Sequence, residues 1–478
     1  MKTTIFENDW SFIPIVDGSS SIDKVFSVDI LLKAYFTKIS KKASRGIDGT
    51  TLKNFDIKDE VSVISKKCAS GKYKFTPYLQ RLQLKGKGKY PREISIPTIR
   101  DQLVLFALKE YLHLIFTDCV NITLPNKYIR DIRSYLESEA DNETLCYSKY
   151  DITDFYGSLD HDFLISALKS KIKSQNIVDL IVSAINNITV PSTAKKINYK
   201  SYKSKGKKGI PQGLSISNIL ANIYIKGFDT NVSEAVPRYF RYVDDILIFN
   251  KGENKQCIKP SVESSLKELG LTAHESKTIC KSNKVAFDYL GYHFDFPKIS
   301  IRQSNVDSFI NSIAGKFTSF KSKKHMILRN HKWLTSELYQ QVFIEELNLR
   351  ITGAVTEKKR YGWVFYFIEM NDLTLLKMID NVILKFIKEN SDFGGKIPEN
   401  LKTLCRTYFE ARHNPFGTYI HNYDKYVTTQ EKLDYLIKMG KIDKNYDQTL
   451  SVEQIDILFD QTKAYYLSLL DLDIGGFS

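Results

Sequence analysis

The alternation of apolar and polar residues predicts an order of helices and strands along the 478 residues. A period near 3.6 residues predicts helices over 22–39, 100–117 and 215–228, and a helical pattern from about 303 almost to the end. Short apolar alternations predict strands over 82–84, 93–96, 145–152 and 237–250, and a hairpin over 284–301. This mixture favours an α+β fold that ends in a helical region.

Two acidic sites interrupt apolar, strand-like runs. Asp151 follows the run 145–150, and Asp244 and Asp245 lie in the middle of the run 240–249. Neighbouring carboxylates are costly inside a core, whereas a tight hairpin turn exposes them, and a plain hairpin is the ordinary explanation. Two such sites at neighbouring strand ends can instead hold two Mg²⁺ ions about 4 Å apart. Substrate phosphates and water complete the shells of such ions, so the pattern indicates nucleotidyl transfer.

The net charge points to a polyanionic partner. Lys and Arg outnumber Asp and Glu by 69 to 55, which gives +14, and nucleic acid is favoured over a membrane surface. Residues 401–478 hold 9 basic and 11 acidic residues, a net of −2, so residues 1–400 carry +16. Aromatic rings interleave with the lysines of 195–208 and of 316–332. Such clusters are either solvated loops or surfaces that follow a nucleic-acid strand by phosphate contact and stacking.

Cysteine usage and hydropathy bear on the location of the protein. The six cysteines are scattered and none forms a C-x-x-C pair, so a zinc ribbon or a disulfide framework is not indicated. There is no apolar run of about 18 residues, and the first ten residues do not resemble a secretion signal. We expect a cytoplasmic protein without membrane contact.

An ordered series of motifs resembles that of bacterial reverse transcriptases of the group II intron and retron type. No single motif is specific, but seven of them follow one another at suitable spacing. They are RGIDG at 45–49, Lys85 and Arg92 with Ile96-Pro97 and Asp101, DITDFY at 151–156, GIPQGLSIS at 209–217, YVDD at 242–245, Gly270-Leu271 with Lys277-Thr278, and YLGY at 289–292. The motif around Lys277 departs from the family, which usually has Asn where this chain has His274.

The resemblance implies a right-hand polymerase, with fingers, a palm built on an antiparallel sheet and a thumb, followed by an α-helical C-terminal domain. The expected boundaries are 1–140 for an N-terminal extension and the fingers, 141–300 for the palm with an insert at 165–215, 301–350 for the thumb, and 351–478 for the helical extension.

The resemblance also implies roles for particular residues. Asp151, Asp244 and Asp245 are expected to be catalytic and to bind two Mg²⁺ ions, with Asp245 in a supporting role. Nucleotide binding is expected from Lys85, Arg92, Tyr156, Gln212 and Lys277. In this group Tyr156 is the candidate sugar gate, although core packing is the ordinary role of an aromatic ring at such a point. Template or primer binding is expected from Lys205, Lys207, Lys208, Tyr289, Gly291, Lys316 and Lys321.

Segments near 350–363 and 419–424 resemble the C-terminal extensions of defence-associated reverse transcriptases of the "unknown group". That likeness implies antiphage defence, a dedicated non-coding RNA as template, dNTPs as substrates, a DNA product and a possible homo-oligomer formed through the C-terminal helices. The sequence contains no Cys/His nuclease cluster and no acidic set typical of RNase H, which disfavours an intron-encoded enzyme with its own endonuclease. An RNA-dependent RNA polymerase and a catalytically idle RNA-binding scaffold stay open as alternatives.

Overall fold

The computed structural model describes residues 22–40, 43–84, 90–121, 123–202, 206–251, 258–275, 278–282, 285–443 and 450–474. Helices make up most of these residues. In chain order the α-helices are α1 (Ile22–Val25), α2 (Val28–Ala34), α3 (Ile57–Ala69), α4 (Ile99–Ile115), α5 (Pro125–Ser138), α6 (Phe155–Ser158), α7 (His161–Lys171), α8 (Gln175–Ile185), α9 (Ser217–Ala235), α10 (Lys259–Glu268), α11 (Gln303–Asn330), α12 (Ser336–Thr352), α13 (Trp363–Tyr366), α14 (Leu373–Glu389), α15 (Leu404–His413), α16 (Thr429–Lys438) and α17 (Val452–Asp473).

Within the described ranges the strands are short and form four small sheets. In chain order they are β1 (Tyr78–Gln83), β2 (Arg92–Ile96), β3 (Leu145–Asp151), β4 (Thr189–Val190), β5 (Arg238–Tyr242), β6 (Asp245–Lys251), β7 (Ile279–Ser282), β8 (Phe287–Tyr289), β9 (Tyr292–Asp295), β10 (Lys298–Ile301), β11 (Ala354–Thr356), β12 (Lys359–Tyr361) and β13 (His421–Asn422). Their orders within the sheets are β2-β1-β4, β5-β6-β3-β7, β10-β9-β8 and β12-β11-β13.

The chain forms two compact units. The first contains residues 1–122 and 144–282, and the second contains residues 123–143 and 283–478. The four expected domains stay a prediction, but this division shows that α5 and the sheet β8–β10 fold with the C-terminal helices.

The four-stranded sheet of the first unit is antiparallel. Its strand β6 has neighbours on both edges, and Ile246, Leu247, Ile248 and Phe249 are all fully buried. Burial on both faces explains why this strand is continuously apolar rather than alternating. Strand β3 lies antiparallel beside β6. The polar residues at the end of β3 and at the start of β6 therefore lie at the same edge of the sheet.

A second, three-stranded sheet of this unit pairs β1 with β2 in an antiparallel hairpin and with β4 in parallel. Helix α4 begins directly after β2, and the side chain of its N-cap Thr98 accepts a hydrogen bond from the Asp101 amide. Gly46 lies against the backbone of Thr98, where a Cβ atom would be 2.6 Å from the Thr98 Cα. The RGIDG motif is therefore a close-packing element beside the start of α4.

The second unit is mainly helical. Its long helix α11 packs against α12 and α14, and the C-terminal helix α17 begins with a capping box between Ser451 and Gln454. A buried ion pair between Arg350 of α12 and Asp473 of α17 links two of these helices. Among the described residues no helix has the length and apolar character needed to cross a membrane.

The predicted fold class is confirmed: the chain has mixed helices and strands, a palm-type antiparallel sheet and a helical C-terminal region. Two local predictions were wrong in detail. The predicted hairpin at 284–301 is a meander of three strands, β8 to β10, and the region after 303 contains the small sheet β11–β13. These strands have two to four residues, too few for a periodic pattern to separate them from turns.

Candidate active site

The three aspartates lie at one edge of the four-stranded sheet. Asp151 is the last residue of β3 and is directly opposite Asp245, the first residue of β6. Tyr242 is paired with the same Asp245, which leaves Val243 and Asp244 as a two-residue turn between β5 and β6. Side chains that are paired across an antiparallel ladder point to the same face. The fold therefore brings together the two acidic sites that are far apart in the sequence.

Backbone hydrogen bonds fix both strand ends. The Ile152 amide donates to the Asp244 carbonyl at 3.1 Å, and the His274 amide donates to the Asp151 carbonyl at 2.8 Å. The Thr153 amide also donates to the Thr272 carbonyl at 2.9 Å. His274, where the family usually has Asn, thus supports Asp151 through its backbone amide, which any residue type except proline could provide.

The donor chemistry at this edge suits Mg²⁺, which prefers carboxylate oxygens and keeps several waters. Within the part of the chain that the structure describes, no three His, Cys, Asp or Glu side chains form a group that could hold a metal ion. An ion bound by these carboxylates would complete its shell with water and substrate phosphates. The Nζ of Lys149 lies 4.0 Å from an oxygen of Asp245, and the supporting role expected for Asp245 stays a prediction.

Tyr156 lies beside the aspartates on the short helix α6. Burial raises the pKa of its hydroxyl to about 12, and the negative charge of Asp244 adds to this rise. The positive charges of Arg92 and Arg241 oppose it. These interactions place Tyr156 close to the carboxylate turn and to Arg92. The ring is only partly exposed, so it can limit the space next to a bound sugar.

Arg92 is the first residue of β2. Its Nε atom is buried and has no hydrogen-bond partner among the described residues. A buried guanidinium donor without a partner is costly, and an anionic ligand such as a triphosphate would satisfy it. The nucleotide-binding role expected for Arg92 stays a prediction.

The GIPQG segment packs against both Tyr156 and β2. The Ile210 amide donates to the Tyr156 carbonyl at 2.8 Å, and the Gln212 carbonyl accepts from the Ser95 amide at 2.7 Å. Gly213 has φ 104°, and a Cβ atom there would lie 2.8 Å from the Ser95 carbonyl oxygen. Only glycine suits this close approach. Gln212 is therefore held next to the strand that begins with Arg92.

Two other aspartates near the site have structural roles. Asp160 caps α7 by accepting hydrogen bonds from the amides of Asp162 and Phe163. Asp154 has φ 42°, and its carboxylate lies against Gly157. Both carboxylates thus take part in the local structure around the site.

The basic residues expected to bind nucleic acid in the first unit are partly described. Lys207 and Lys208 are exposed, and Lys207 is 4.0 Å from the carboxylate of Asp162. Lys85, Lys205 and Lys277 lie outside the described residues, and their expected roles stay predictions.

The template or primer residues expected in the second unit differ in their environments. Lys321 is exposed on α11, but Lys316 on the same helix forms an ion pair with Glu346 of α12 and is 17% exposed. Tyr289 is fully buried, and the carbonyl of the buried Gly291 accepts a hydrogen bond from the Arg302 amide. The side chains of Lys316 and Tyr289 therefore make contacts within this unit, and their expected roles in template or primer binding stay predictions.

Sequence reasoning missed one pair of residues next to the aspartates. Arg241 precedes the YVDD motif and is paired with Asp229 of α9 at 2.6 Å. An arginine inside an apolar strand is the available signal, because a buried guanidinium needs an acidic partner. The identity of that partner depends on the fold.

Comparison with known proteins shows what this part of the chain is similar to. The reverse transcriptase (RNA-dependent DNA polymerase) family model matches residues 84–294. The chain is 26% identical over 335 residues to the putative COX1/OXI3 intron 1 protein of Saccharomyces cerevisiae, which covers 56% of this chain and 38% of that protein. It is 24% identical over 432 residues to the group II intron-encoded protein LtrA of Lactococcus lactis subsp. cremoris, covering 82% of this chain and 68% of LtrA.

Among solved structures, telomerase from Candida albicans in complex with a fragment of telomeric RNA matches with a TM-score of 0.41 and 14% identity, over 70% of this chain and 66% of that one. The chain spans little more than a third of the length of the yeast intron protein. Residues 84–294, which contain the three aspartates, Arg92, Tyr156 and the GIPQG segment, match the reverse transcriptase domain, and the chain is similar to group II intron-encoded proteins.

Proposed function

We propose that this protein is an RNA-directed DNA polymerase that adds deoxynucleotides to a primer by two-metal nucleotidyl transfer. The observation that carries the proposal is the cross-strand pair of Asp151 and Asp245, with Asp244 in the adjoining turn. Asp151 and Asp244 would hold the Mg²⁺ ions, and Asp245 would support them. When bound, the ions would lower the pKa of the attacking 3′-hydroxyl and stabilise the leaving pyrophosphate.

The residues around the aspartates would bind and select the nucleotide. Arg92 would donate to triphosphate oxygens through its unpaired Nε and the rest of its fork. The ring of Tyr156 would lie under the ribose and exclude a 2′-hydroxyl, and Gln212 would contact the templating base pair. Lys85 and Lys277 would add charge at the triphosphate.

RNA is the proposed template and DNA the proposed product. Exposed lysines, among them Lys207, Lys208 and Lys321, would neutralise phosphates without reading sequence. We place the protein in the cytoplasm, with assembly into a homo-oligomer through the C-terminal helices as part of the same proposal.

The biological role that we propose is antiphage defence with a dedicated non-coding RNA as template. Its support is the likeness of the C-terminal segments to those of defence-associated reverse transcriptases. Purification from the native host, followed by sequencing of the bound RNA and any attached DNA, tests this role. Recovery of one defined RNA with complementary DNA supports it, and recovery of unrelated cellular RNAs contradicts it.

Purified protein with a primed RNA template tests the polymerase activity. We expect incorporation of dNTPs that requires Mg²⁺, with much weaker use of NTPs. Preferred use of NTPs would indicate the RNA polymerase alternative, and RNA binding without any incorporation would indicate an idle scaffold.

A further inference from the structure

Resting on the polymerase function proposed above, we infer that Arg241 and Asp229 are a positioning pair for the metal-binding turn. They link the turn that carries Asp244 to helix α9, which also holds the GIPQG segment. The pair would thus fix the position of the metal-binding carboxylates relative to the GIPQG segment.

The carboxylate turn needs support because its backbone is strained. Val243 has φ 57°, a left-handed conformation that a β-branched residue rarely adopts. Such strain persists only where the surroundings enforce it. Here the Nη1 of Arg241 donates to the carbonyl of Val243 itself at 2.9 Å.

Arg241 is in turn held in one orientation by α9. Its Nε and Nη2 donate to the two carboxylate oxygens of Asp229 at 2.7 and 2.6 Å, and Nη2 also donates to Asn222 at 3.3 Å. The Arg241 side chain is 9% exposed, and Tyr239 donates to Asp229 at 2.6 Å. Lysine cannot reproduce such a two-pronged contact, because it has a single ammonium group.

Helix α9 also contacts the GIPQG segment. Ser217, the first residue of α9, donates through its hydroxyl to the Pro211 carbonyl at 2.6 Å, and this contact is buried. Loss of the Arg241 contact should therefore release the carboxylate turn while the GIPQG segment stays in place. The expected result is weaker metal binding and slower turnover, with a smaller effect on nucleotide affinity.

The test uses the full chain and two readouts. Mn²⁺ binding in the presence of dNTP is measured by electron paramagnetic resonance, and steady-state incorporation gives kcat and KM. Arg241→Gln and Asp229→Asn should each weaken Mn²⁺ binding by about tenfold or more, as removal of residues that orient metal ligands commonly does. The kcat should fall with it, and the KM for dNTP should change by less than about threefold. Arg241→Lys should fall between these variants and the wild type.

Arg238→Gln, on the exposed part of the same strand, is the matched control and should behave as the wild type. If Arg241→Gln does not fold, Tyr239→Phe, which removes a single hydrogen bond to Asp229, should still weaken Mn²⁺ binding measurably. Mn²⁺ binding within twofold of the wild type in the folded variants overturns the inference, as does a wild-type chain that binds no Mn²⁺. A wild-type chain that binds Mn²⁺ but incorporates no nucleotide instead contradicts the proposed function, and the Mn²⁺ comparison still decides this inference.

Discussion

Asp151 and Asp245 are directly opposite each other across the antiparallel strands β3 and β6. The adjoining two-residue turn carries Asp244. The charges of Asp244 and Arg92 shift the pKa of the Tyr156 hydroxyl in opposite directions. One edge of a small sheet thus holds the acidic groups for metal ions, a cation for phosphates and an aromatic ring for the sugar.

Tyr156→Ala should relax the choice of sugar. Removal of the ring opens space for a 2′-hydroxyl, and we expect discrimination against NTPs to fall by about tenfold or more. The measurement is the ratio of kcat/KM for dNTP and NTP on one template. Tyr156→Phe keeps the ring and should keep the discrimination, and an unchanged ratio in Tyr156→Ala would show that the ring is only a packing element.

Arg92→Ala should weaken nucleotide binding. A hydrogen bond to a charged group contributes about 1.5–3 kcal/mol. Because Arg92→Ala removes such bonds, we expect the KM for dNTP to rise by about tenfold or more. Arg81 lies in the same hairpin and is exposed, so Arg81→Ala is a matched control that should leave KM nearly unchanged. Equal effects of the two changes would argue against a specific triphosphate contact.

Substitutions of Lys316 and Lys321 should have different effects, the first on stability and the second on RNA binding. Lys316→Met breaks the ion pair with Glu346 and should lower the free energy of unfolding by about 1–3 kcal/mol. Lys321→Met should leave stability unchanged, weaken RNA binding and reduce its salt dependence by about one phosphate contact. Denaturant unfolding and binding titrations at several salt concentrations measure the two effects, and the opposite pattern would contradict the assigned roles.

Glu110 should make the protein less stable as the pH rises. Its side chain is 3% exposed, and burial raises the pKa of this carboxyl to about 7, against the opposing charges of Lys109 and Lys38. Since the pKa is higher in the folded state than the usual 4.5, the stabilising effect of the bound proton is present below about pH 4.5 and is lost by about pH 7. The loss amounts to about 3 kcal/mol.

Glu110→Gln removes this charge without changing the shape of the side chain. We expect the variant to be more stable than the wild type at pH 8 and to lose this advantage at pH 5, as measured by denaturant unfolding. A constant difference between the two pH values would show that Glu110 does not titrate in this range.

Local sequence patterns were sufficient to predict which segments form much of the site. The continuous apolar run after Asp245 predicts strand β6, because a strand that is buried on both faces has no polar alternation. The register that sets Asp151 against Asp245 could not be predicted, since it depends on how strands distant in sequence pair. The ion pair of Lys316 could not be predicted either. The sequence around Lys316 is typical of an exposed helix face, and its partner Glu346 lies on a different helix, α12.

The most direct test of the central claim is dNTP incorporation on a primed RNA template by the wild type and by Asp244→Asn with Asp245→Asn. We predict Mg²⁺-dependent synthesis by the wild type and a loss of about a thousandfold or more in the double variant, with RNA affinity within about threefold of the wild type. Asp162→Asn, which changes an exposed acid of the same unit, should retain full activity. Undiminished synthesis by the double variant would contradict the account.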